Sequence, residues 1–112
     1  MSDCLFCRMV SGEIKPDIVF ENQQVLAFRD IRPQAPVHVL VIPKRHVPTL
    51  DELGDPGLMA ELLSAAQVVA RQEGLAETGY RTVVNCRQDA GQEVYHLHLH
   101  VLGGRRLGWP PG

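Results

Sequence analysis

The run Tyr95-His96-Leu97-His98-Leu99-His100-Val101-Leu102 decides how the rest of this 112-residue chain is interpreted. Three of the five histidines fall within five residues, separated by single leucines. Successive side chains of a strand point to opposite faces, so the three histidines are predicted to share one face and Leu97, Leu99 and Val101 to be buried on the other. Neighbouring imidazoles would lie about 6.5 Å apart, which suits several nitrogens acting on one phosphate or one metal.

Three interpretations of this histidine row are open on the residues alone. The first is a half-exposed strand whose outward positions happen to be histidine. The second is a metal centre, because a His-x-His pair on one strand face supplies two zinc ligands, although Glu93 is the one nearby carboxylate that could orient the rings. The third is phosphoryl chemistry, in which an unprotonated imidazole attacks phosphorus while flanking imidazoles donate to the phosphate oxygens. Gly91 in the preceding loop would let backbone N–H groups approach the same phosphate.

Length and composition predict a single domain over residues 1–112, since 45% apolar residues suffice for one core. Thirteen acidic residues against eleven Lys and Arg give a net charge of −2. This balance argues against a nucleic-acid polymer as partner but not against a single nucleotide. No window approaches the roughly 20 apolar residues of a membrane span, and the first residues do not resemble a signal peptide. With three cysteines, an odd number, the expected location is the cytoplasm.

The apolar patterns predict five strands and two helices. The strands are expected at 18–21, 25–30, 37–42, 80–85 and 94–102. A short helix is expected to begin at an Asp3 cap and end at Val10, and a long one to begin at Asp55-Pro56 and end near Gly74. Connections between neighbouring strands are too short for parallel crossovers. The predicted fold class is therefore α+β, an antiparallel sheet with the helices packed on one side.

The run from His96 to Leu102 resembles the His-φ-His-φ-His-φ-φ motif of the histidine triad superfamily, where φ is apolar. Other segments that fit the family are Asp30-Ile31, Pro33 to Pro36, His38, Ile42 to Lys44, Asn85, Gly91-Gln92 and Gly103 to Arg105. The ending Trp109 to Gly112 is similar to the histidine triad nucleotide-binding branch. The resemblance implies a five-stranded sheet extended across a homodimer.

The activity implied by this resemblance is that of a purine nucleoside phosphoramidase. Such enzymes hydrolyse the P–N bond of adenosine 5′-phosphoramidates, including AMP linked to lysine, through a nucleotidyl-histidine intermediate. The implied partner is thus a purine nucleoside monophosphate or phosphoramidate, and the chemistry needs no cofactor. The alternative from another class is a purine-nucleotide sensor or scaffold module with little turnover.

The same resemblance implies roles for four histidines. His98 would be the nucleophile, and His100 would hydrogen-bond the phosphate oxygens. The carbonyl of His96 would orient the ring of His98, and His38 would extend this network. Asp30 would bind the ribose hydroxyls, although a turn cap is the alternative on pattern alone.

The remaining substrate contacts follow from the resemblance as well. The base pocket would be lined by Phe6, Met9, Phe28 and Ile31, which are ordinary core residues on pattern alone. The α-phosphate side would be held by Asn85 and by backbone groups of Gly91, Gln92 and Glu93, and Val94 would belong to the substrate-binding residues as well. The C-terminal segment around Trp109 would reach toward the partner subunit's site.

Glu93 departs from many relatives, which carry serine at this position. A solvated acid at the end of a strand is the alternative to a functional role. In the functional interpretation Glu93 accepts from an ammonium leaving group or favours cationic amines such as lysine.

The pair Cys4-x-x-Cys7 has three interpretations: a redox pair, a zinc half-site, or two small buried residues. A thioredoxin-like motif would follow a strand in a βαβ unit, which this pair does not. A structural zinc needs two more ligands, and His46 with His96 could supply them, as in some bacterial histidine triad relatives. Such a zinc would brace the first helix against the sheet without joining the reaction. Zinc and plain packing both stay open.

Overall fold

The computed structural model describes residues 3–112, which form an antiparallel five-stranded sheet with one short and one long α-helix. The strands are β1 (Ile18–Glu21), β2 (Val25–Arg29), β3 (Val37–Pro43), β4 (Tyr80–Val83) and β5 (Leu99–Gly103). The helices are α1 (Leu5–Val10) and α2 (Pro56–Gln72), with 3-10 turns at Leu50–Glu52 and Gln88–Ala90. The predicted α+β class is confirmed.

The order of strands places the histidine row in the interior of the sheet. The strands lie in the order β1-β2-β3-β5-β4. Helix α2 carries the chain from β3 to the far edge, and β5 then returns between β3 and β4. In the register of β3 and β5, His38 is opposite Leu102 and Leu40 is opposite His100. Residues opposite one another share a face, so His38 and His100 are neighbours on one surface of the sheet.

The two helices cover opposite faces of the sheet, and the expectation that both pack on one side is wrong. Helix α2 packs on the face that carries Val39 and Val101. Helix α1 packs on the other face, where Phe6 contacts Phe28 and Leu40. The reason lies in β2 and β3, which carry consecutive apolar residues and are buried at almost every position. A sheet that is apolar on both faces needs cover on both.

The histidine strand is shorter than predicted. It begins at Leu99 rather than at residue 94, and β4 ends at residue 83 rather than 85. Strand β3 ends at Pro43, whose carbonyl accepts a hydrogen bond from the ring of His96 at 2.7 Å. The backbone N–H of Leu97 donates to the carbonyl of Val47, also at 2.7 Å. The segment 94–98 is therefore bonded to the last residue of β3 and to the chain just beyond it, and it does not join the ladder of the sheet.

The helix starts agree with prediction at α2 and differ at α1. Asp55 caps α2 by accepting from the N–H of Leu58 at 3.1 Å, and Pro56 opens the helix. The N-cap of α1 is Cys4 instead of the predicted Asp3, because the Cys4 sulfur accepts from the N–H of Cys7. Between residues 3 and 112 no helix is long and apolar enough to cross a membrane.

Candidate active site

Two histidines from neighbouring strands make the first contact of the site. Nε2 of His38 on β3 lies 2.8 Å from Nδ1 of His100 on β5. His38 is buried, and its ring centroid is 5.1 Å from that of His100. The two residues are 62 positions apart in the chain, so the pairing of β3 with β5 creates this contact.

A backbone amide before β3 determines where the protons of this pair lie. The N–H of Gln34 donates to Nδ1 of His38 at 3.0 Å, so this nitrogen carries a lone pair. A neutral imidazole has one N–H, which His38 must therefore carry on Nε2. That N–H donates to Nδ1 of His100. By the same argument, the proton of His100 lies on its own Nε2.

The Nε2 nitrogen of His100 is a buried donor that lacks an acceptor. Within residues 3–112 it is the one buried side-chain nitrogen or oxygen without a hydrogen-bond partner. Burial, followed by the nearby rings of His98 and His38, lowers the pKa of His100 from 6.5 to about 4, and Asp30 opposes the shift. Burial likewise lowers the pKa of His38. Both rings are neutral near pH 7, and His100 presents an N–H to any anion that enters the site.

The ring of His98 is held in the tautomer that a nucleophile requires. Its Nδ1–H donates to the carbonyl of His96 at 2.8 Å. The Nε2 nitrogen therefore carries the lone pair. The ring stands edge-on to Phe6, with centroids 5.2 Å apart, and lies 5.1 Å from the ring of His100. His98 keeps 9% of its surface exposed, so the site is shielded without being sealed.

Asp30 sits between a turn and the histidine pair. One carboxylate oxygen, Oδ1, accepts from the N–H of Arg32 at 2.8 Å and so caps the turn. The other, Oδ2, lies 3.5 Å from Nε2 of His38. The neighbouring Ile31 is 92% exposed. Asp30 therefore caps a turn, and its second carboxylate oxygen lies beside the histidine pair.

The expected base-lining residues form an apolar cluster beneath the histidine row. Phe6 and Phe28 are buried with ring centroids 5.5 Å apart, and Met9 and Val94 pack on the same cluster. Ile31, the fourth expected residue, is exposed and lies outside this cluster.

The polar loop before the histidines contains the residues expected at the phosphate. Asn85 is half-buried just beyond β4. Gly91 is exposed and has φ of +79°, a left-handed conformation that glycine adopts without strain. Glu93 is exposed and makes no ion pair with any residue from 3 to 112. The side chain of Gln92, in contrast, is buried and bonded to backbone groups alone.

The two cysteines and two further histidines form a second cluster. One potential ligand atom from each of Cys4, Cys7, His46 and His96 lies within 4.8 Å of all the others. The His96 ring is fully buried, and its Nε2–H donates to the carbonyl of Pro43 at 2.7 Å. Its Nδ1 lone pair therefore faces the sulfurs of Cys4 and Cys7, at 3.3 and 3.5 Å. Burial lowers the pKa of His96, and the bond to Pro43 opposes that shift.

Trp109 belongs to the C-terminal segment and lies beside the edge strand β4. Its ring is 81% exposed, and the guanidinium of Arg81 on β4 lies 5.8 Å from its centroid. Arg81 also donates to the carbonyl of Gly108 at 2.8 Å. The C-terminal segment is thus attached to β4 of its own chain, and the indole remains available.

Sequence reasoning missed the groups that orient the rings. They are the N–H of Gln34 and the carbonyl of Pro43, together with Arg105, which donates to the Gln34 carbonyl at 2.9 Å. Every residue has a backbone carbonyl, and every residue except proline has a backbone N–H, so no side-chain pattern could have identified the Gln34 and Pro43 groups. Arg105 could have been singled out as a charged residue directly after the histidine strand.

Comparisons with known proteins by sequence and by structure lead to the same family. The HIT domain family matches residues 11–107. An uncharacterised HIT-like protein of Synechococcus elongatus is 52% identical over 112 residues, 98% of this chain and 97% of that protein. The purine nucleoside phosphoramidase of Escherichia coli K12 is 44% identical over 108 residues, 95% of this chain and 91% of that protein. A HIT family hydrolase from Legionella pneumophila has a TM-score of 0.95 at 54% identity, with 98% of this chain and 100% of the other covered.

Acidification is expected to reduce the stability of the folded chain through the His38–His100 pair. Because the pKa of His100 falls from 6.5 to about 4 on folding, the unfolded chain binds more protons between these pH values. The free energy of unfolding should therefore decrease as pH falls through this window. Urea unfolding at several pH values from 7 to 4.5 measures the slope of the free energy of unfolding against pH. This slope should be shallower in His100→Asn. Equal slopes in the two proteins would contradict the assignment of His100 as a buried neutral ring.

Proposed function

The chain belongs to the HIT domain family and is a hydrolase, and on that basis we propose that it acts as a purine nucleoside phosphoramidase. The substrates are adenosine 5′-phosphoramidates, AMP linked through a P–N bond to an amine such as lysine. The observation that carries this proposal is the arrangement of two rings, His98 with an unprotonated Nε2 and His100 with an unpartnered Nε2–H. One ring can attack phosphorus while the other donates to an oxygen of the same phosphate.

In the first step Nε2 of His98 uses its lone pair to form a bond to phosphorus. The P–N bond breaks, and its electron pair leaves on the amine nitrogen. The His98 ring becomes a cation, which the carbonyl of His96 stabilises through Nδ1–H. In the second step water attacks phosphorus and loses one proton to the solvent. The bond to His98 breaks with its electron pair returning to Nε2, and AMP and the neutral ring are released. The Nε2–H of His100 stabilises the negative charge on a phosphate oxygen in both steps.

The amine must gain a proton before it can leave as a neutral molecule. General-acid assistance of this kind typically contributes about 10²–10⁴-fold. The substrate nitrogen can arrive protonated, or a histidine of the row can supply the proton. We assign Glu93 a supporting role, since its exposed carboxylate makes no ion pair in residues 3–112 and would attract a cationic amine.

The nucleoside is expected to bind against the apolar cluster of Phe6, Phe28 and Met9, with Ile31 covering the base. The ribose hydroxyls would bind to Asp30, whose Oδ2 faces the histidine pair. Asn85 and the backbone of 91–94 would hold the phosphate side. Apolar contacts of this kind accept adenine and guanine alike.

Turnover of a fluorogenic AMP-amine by the parent and by His98→Ala tests the proposal. We expect the rate to fall by roughly 10³-fold or more in the variant, because the nucleophile is lost. AMP affinity should be retained, which serves as the folding control. Tight AMP binding by the parent without turnover would favour a sensor or scaffold module instead. Loss of turnover when a chelator is added to Cys4→Ser, which lacks one ligand of the cysteine–histidine cluster, would favour a catalytic metal.

The same assay examines Glu93 when lysine and an uncharged amine of similar size are compared as leaving groups. Glu93→Gln keeps the shape of the side chain and removes its charge, so the preference for the lysine conjugate should shrink. An unchanged preference would remove Glu93 from the proposal.

We further propose that Cys4, Cys7, His46 and His96 hold a structural zinc ion. Two thiolates and two imidazoles form a set that zinc binds tetrahedrally, and the four potential ligand atoms lie together. The bond from His96 to the carbonyl of Pro43 supports this, because metal-bound imidazoles usually donate their second nitrogen to such an acceptor. A bound zinc would fasten α1 to the sheet and would not take part in the reaction.

Elemental analysis of purified protein tests the zinc site. We expect about one zinc per chain in the parent and a large loss in Cys4→Ser. The matched control is Cys86→Ser, since Cys86 lies outside the four-residue cluster and its replacement should leave the zinc content unchanged. Zinc absent from the parent, or retained equally in both variants, would contradict the site.

We also propose a homodimer in which the two sheets join. In support, β4 is a terminal strand of the described sheet, and its outer edge is free to pair with a second copy. Tyr80 on β4 and Trp109 beside it are exposed apolar side chains at this edge. The dimer would bring Trp109 toward the partner's site.

Sedimentation equilibrium measures the mass of the particle directly. We expect twice the 12.4 kDa mass of one chain. A mass of one chain over the whole range of concentration would contradict the dimer.

A further inference from the structure

The side chain of Gln92 is a buried crosslink between three backbone segments. Its Oε1 accepts from the N–H of Arg87 at 2.8 Å. Its Nε2 donates to the carbonyls of Pro48 and Val94, at 2.9 and 3.0 Å. The residue keeps 8% of its surface exposed, and both amide protons are used. Because all three partners are backbone groups, Gln92 fixes the course of the chain itself.

Arg87 adopts a backbone conformation that is otherwise restricted to glycine. Its φ is 68° and its ψ is −164°. A side-chain-bearing residue remains in this region only where its surroundings hold it there. Here Gln92 binds Arg87 twice, through Oε1 on the N–H and through its own backbone N–H on the Arg87 carbonyl at 3.1 Å. The Arg87 guanidinium adds exposed ion pairs to Asp51 and Glu52, which are weak by comparison.

The loop closed by Gln92, residues 87–94, leads directly to the histidine row. The side chain of Val94 packs on the apolar cluster with Phe6. The backbone N–H groups of Glu93 and Val94 have no hydrogen-bond partner in the described chain. Beyond the loop, His96 and Leu97 are bonded to the same segment, 43–48, that receives Gln92. Hydrogen bonds to the segment 43–48 thus hold the chain between Arg87 and His98 in place.

We propose that Gln92 is a positioning residue that holds the 87–94 loop closed so that its free N–H groups meet the phosphate of the nucleotide. Holding the loop closed keeps Arg87 in a strained backbone conformation that glycine alone adopts readily. The inference rests on the proposed function, since it requires that a nucleoside monophosphate binds beside the loop. Gln92 does not touch the reacting atoms and acts through the backbone that follows it.

Gln92→Leu tests the proposal because it removes all three bonds at similar volume. With the crosslink gone, Arg87 relaxes and the loop opens, so we expect the Kd for AMP to rise roughly tenfold or more. The KM for an AMP-amine should rise in parallel, with a smaller change in kcat. The matched control is Gln88→Leu, the same substitution at an exposed position of the same loop, which should leave AMP affinity unchanged.

Arg87→Gly provides a readout that a purely structural crosslink would not move. Glycine adopts the Arg87 conformation without strain, so the closed loop no longer depends on Gln92 to the same degree. In the Gln92→Leu background, Arg87→Gly should recover part of the lost AMP affinity. If Gln92→Leu lowers the melting temperature while AMP affinity stays at the level of Gln88→Leu, the proposal is overturned. The same holds if Arg87→Gly recovers stability without affinity.

If Gln92→Leu fails to fold, Gln92→Glu is compared with the parent in its place. It retains the acceptor for Arg87 and loses both donated bonds, so weaker AMP binding with faster amide exchange of the loop is expected. AMP binding by the parent separates the two levels of inference. If the parent binds and hydrolyses its substrate but Gln92 variants bind AMP normally, the proposed function stands and the positioning role falls. If the parent does not bind AMP, both fall.

Discussion

A backbone group at one nitrogen of each buried histidine determines what the opposite nitrogen can do. The carbonyl of His96 accepts a hydrogen bond from Nδ1–H of His98, which leaves a lone pair on Nε2. The amide of Gln34 works in the opposite sense, because it donates to His38 and so directs the proton of His100 outward. A nitrogen with a lone pair and a nitrogen with an unpartnered N–H therefore result from identical side chains. Their difference is produced by the direction of the hydrogen bonds.

His96 connects the two clusters of the molecule. Its carbonyl orients His98, its Nε2 is held by Pro43, and its Nδ1 faces the cysteines of α1. A ring with both nitrogens committed cannot rotate without breaking contacts in two places. His98 is thereby oriented by a residue whose own ring is held at both nitrogens. This explains how the ring of His98 can be held accurately on a segment that is not part of a strand.

Much of the fold could be predicted because its signals lie in side chains. The alternation of leucine and histidine predicted the burial of Leu97, Leu99 and Val101, and Asp55 with Pro56 marked the start of α2. The position of α1 could not be predicted as easily, since consecutive apolar residues in β2 and β3 are compatible with burial on one face or on both.

At the site, residue types indicated phosphoryl chemistry, but the contacts that set the tautomers come from backbone groups. Gln92 is a second case in which the residue type did not reveal that the contacts are to backbone groups. A glutamine beside a glycine suggests a substrate contact, whereas its buried amide bonds to backbone groups of Arg87, Pro48 and Val94. The conformation of Arg87 has no signature in the sequence at all, because arginine is not a residue that turns of this kind favour.

Helix α1 spans six residues, and a helix of that length does not persist in water on its own. The helix is stabilised by the packing of Phe6 on the sheet and by the contacts of Cys4 and Cys7. We therefore expect α1 to unfold locally at a lower free energy than the sheet it covers. Since Phe6 packs against the ring of His98, such an opening would expose this ring to solvent while the strands stay paired.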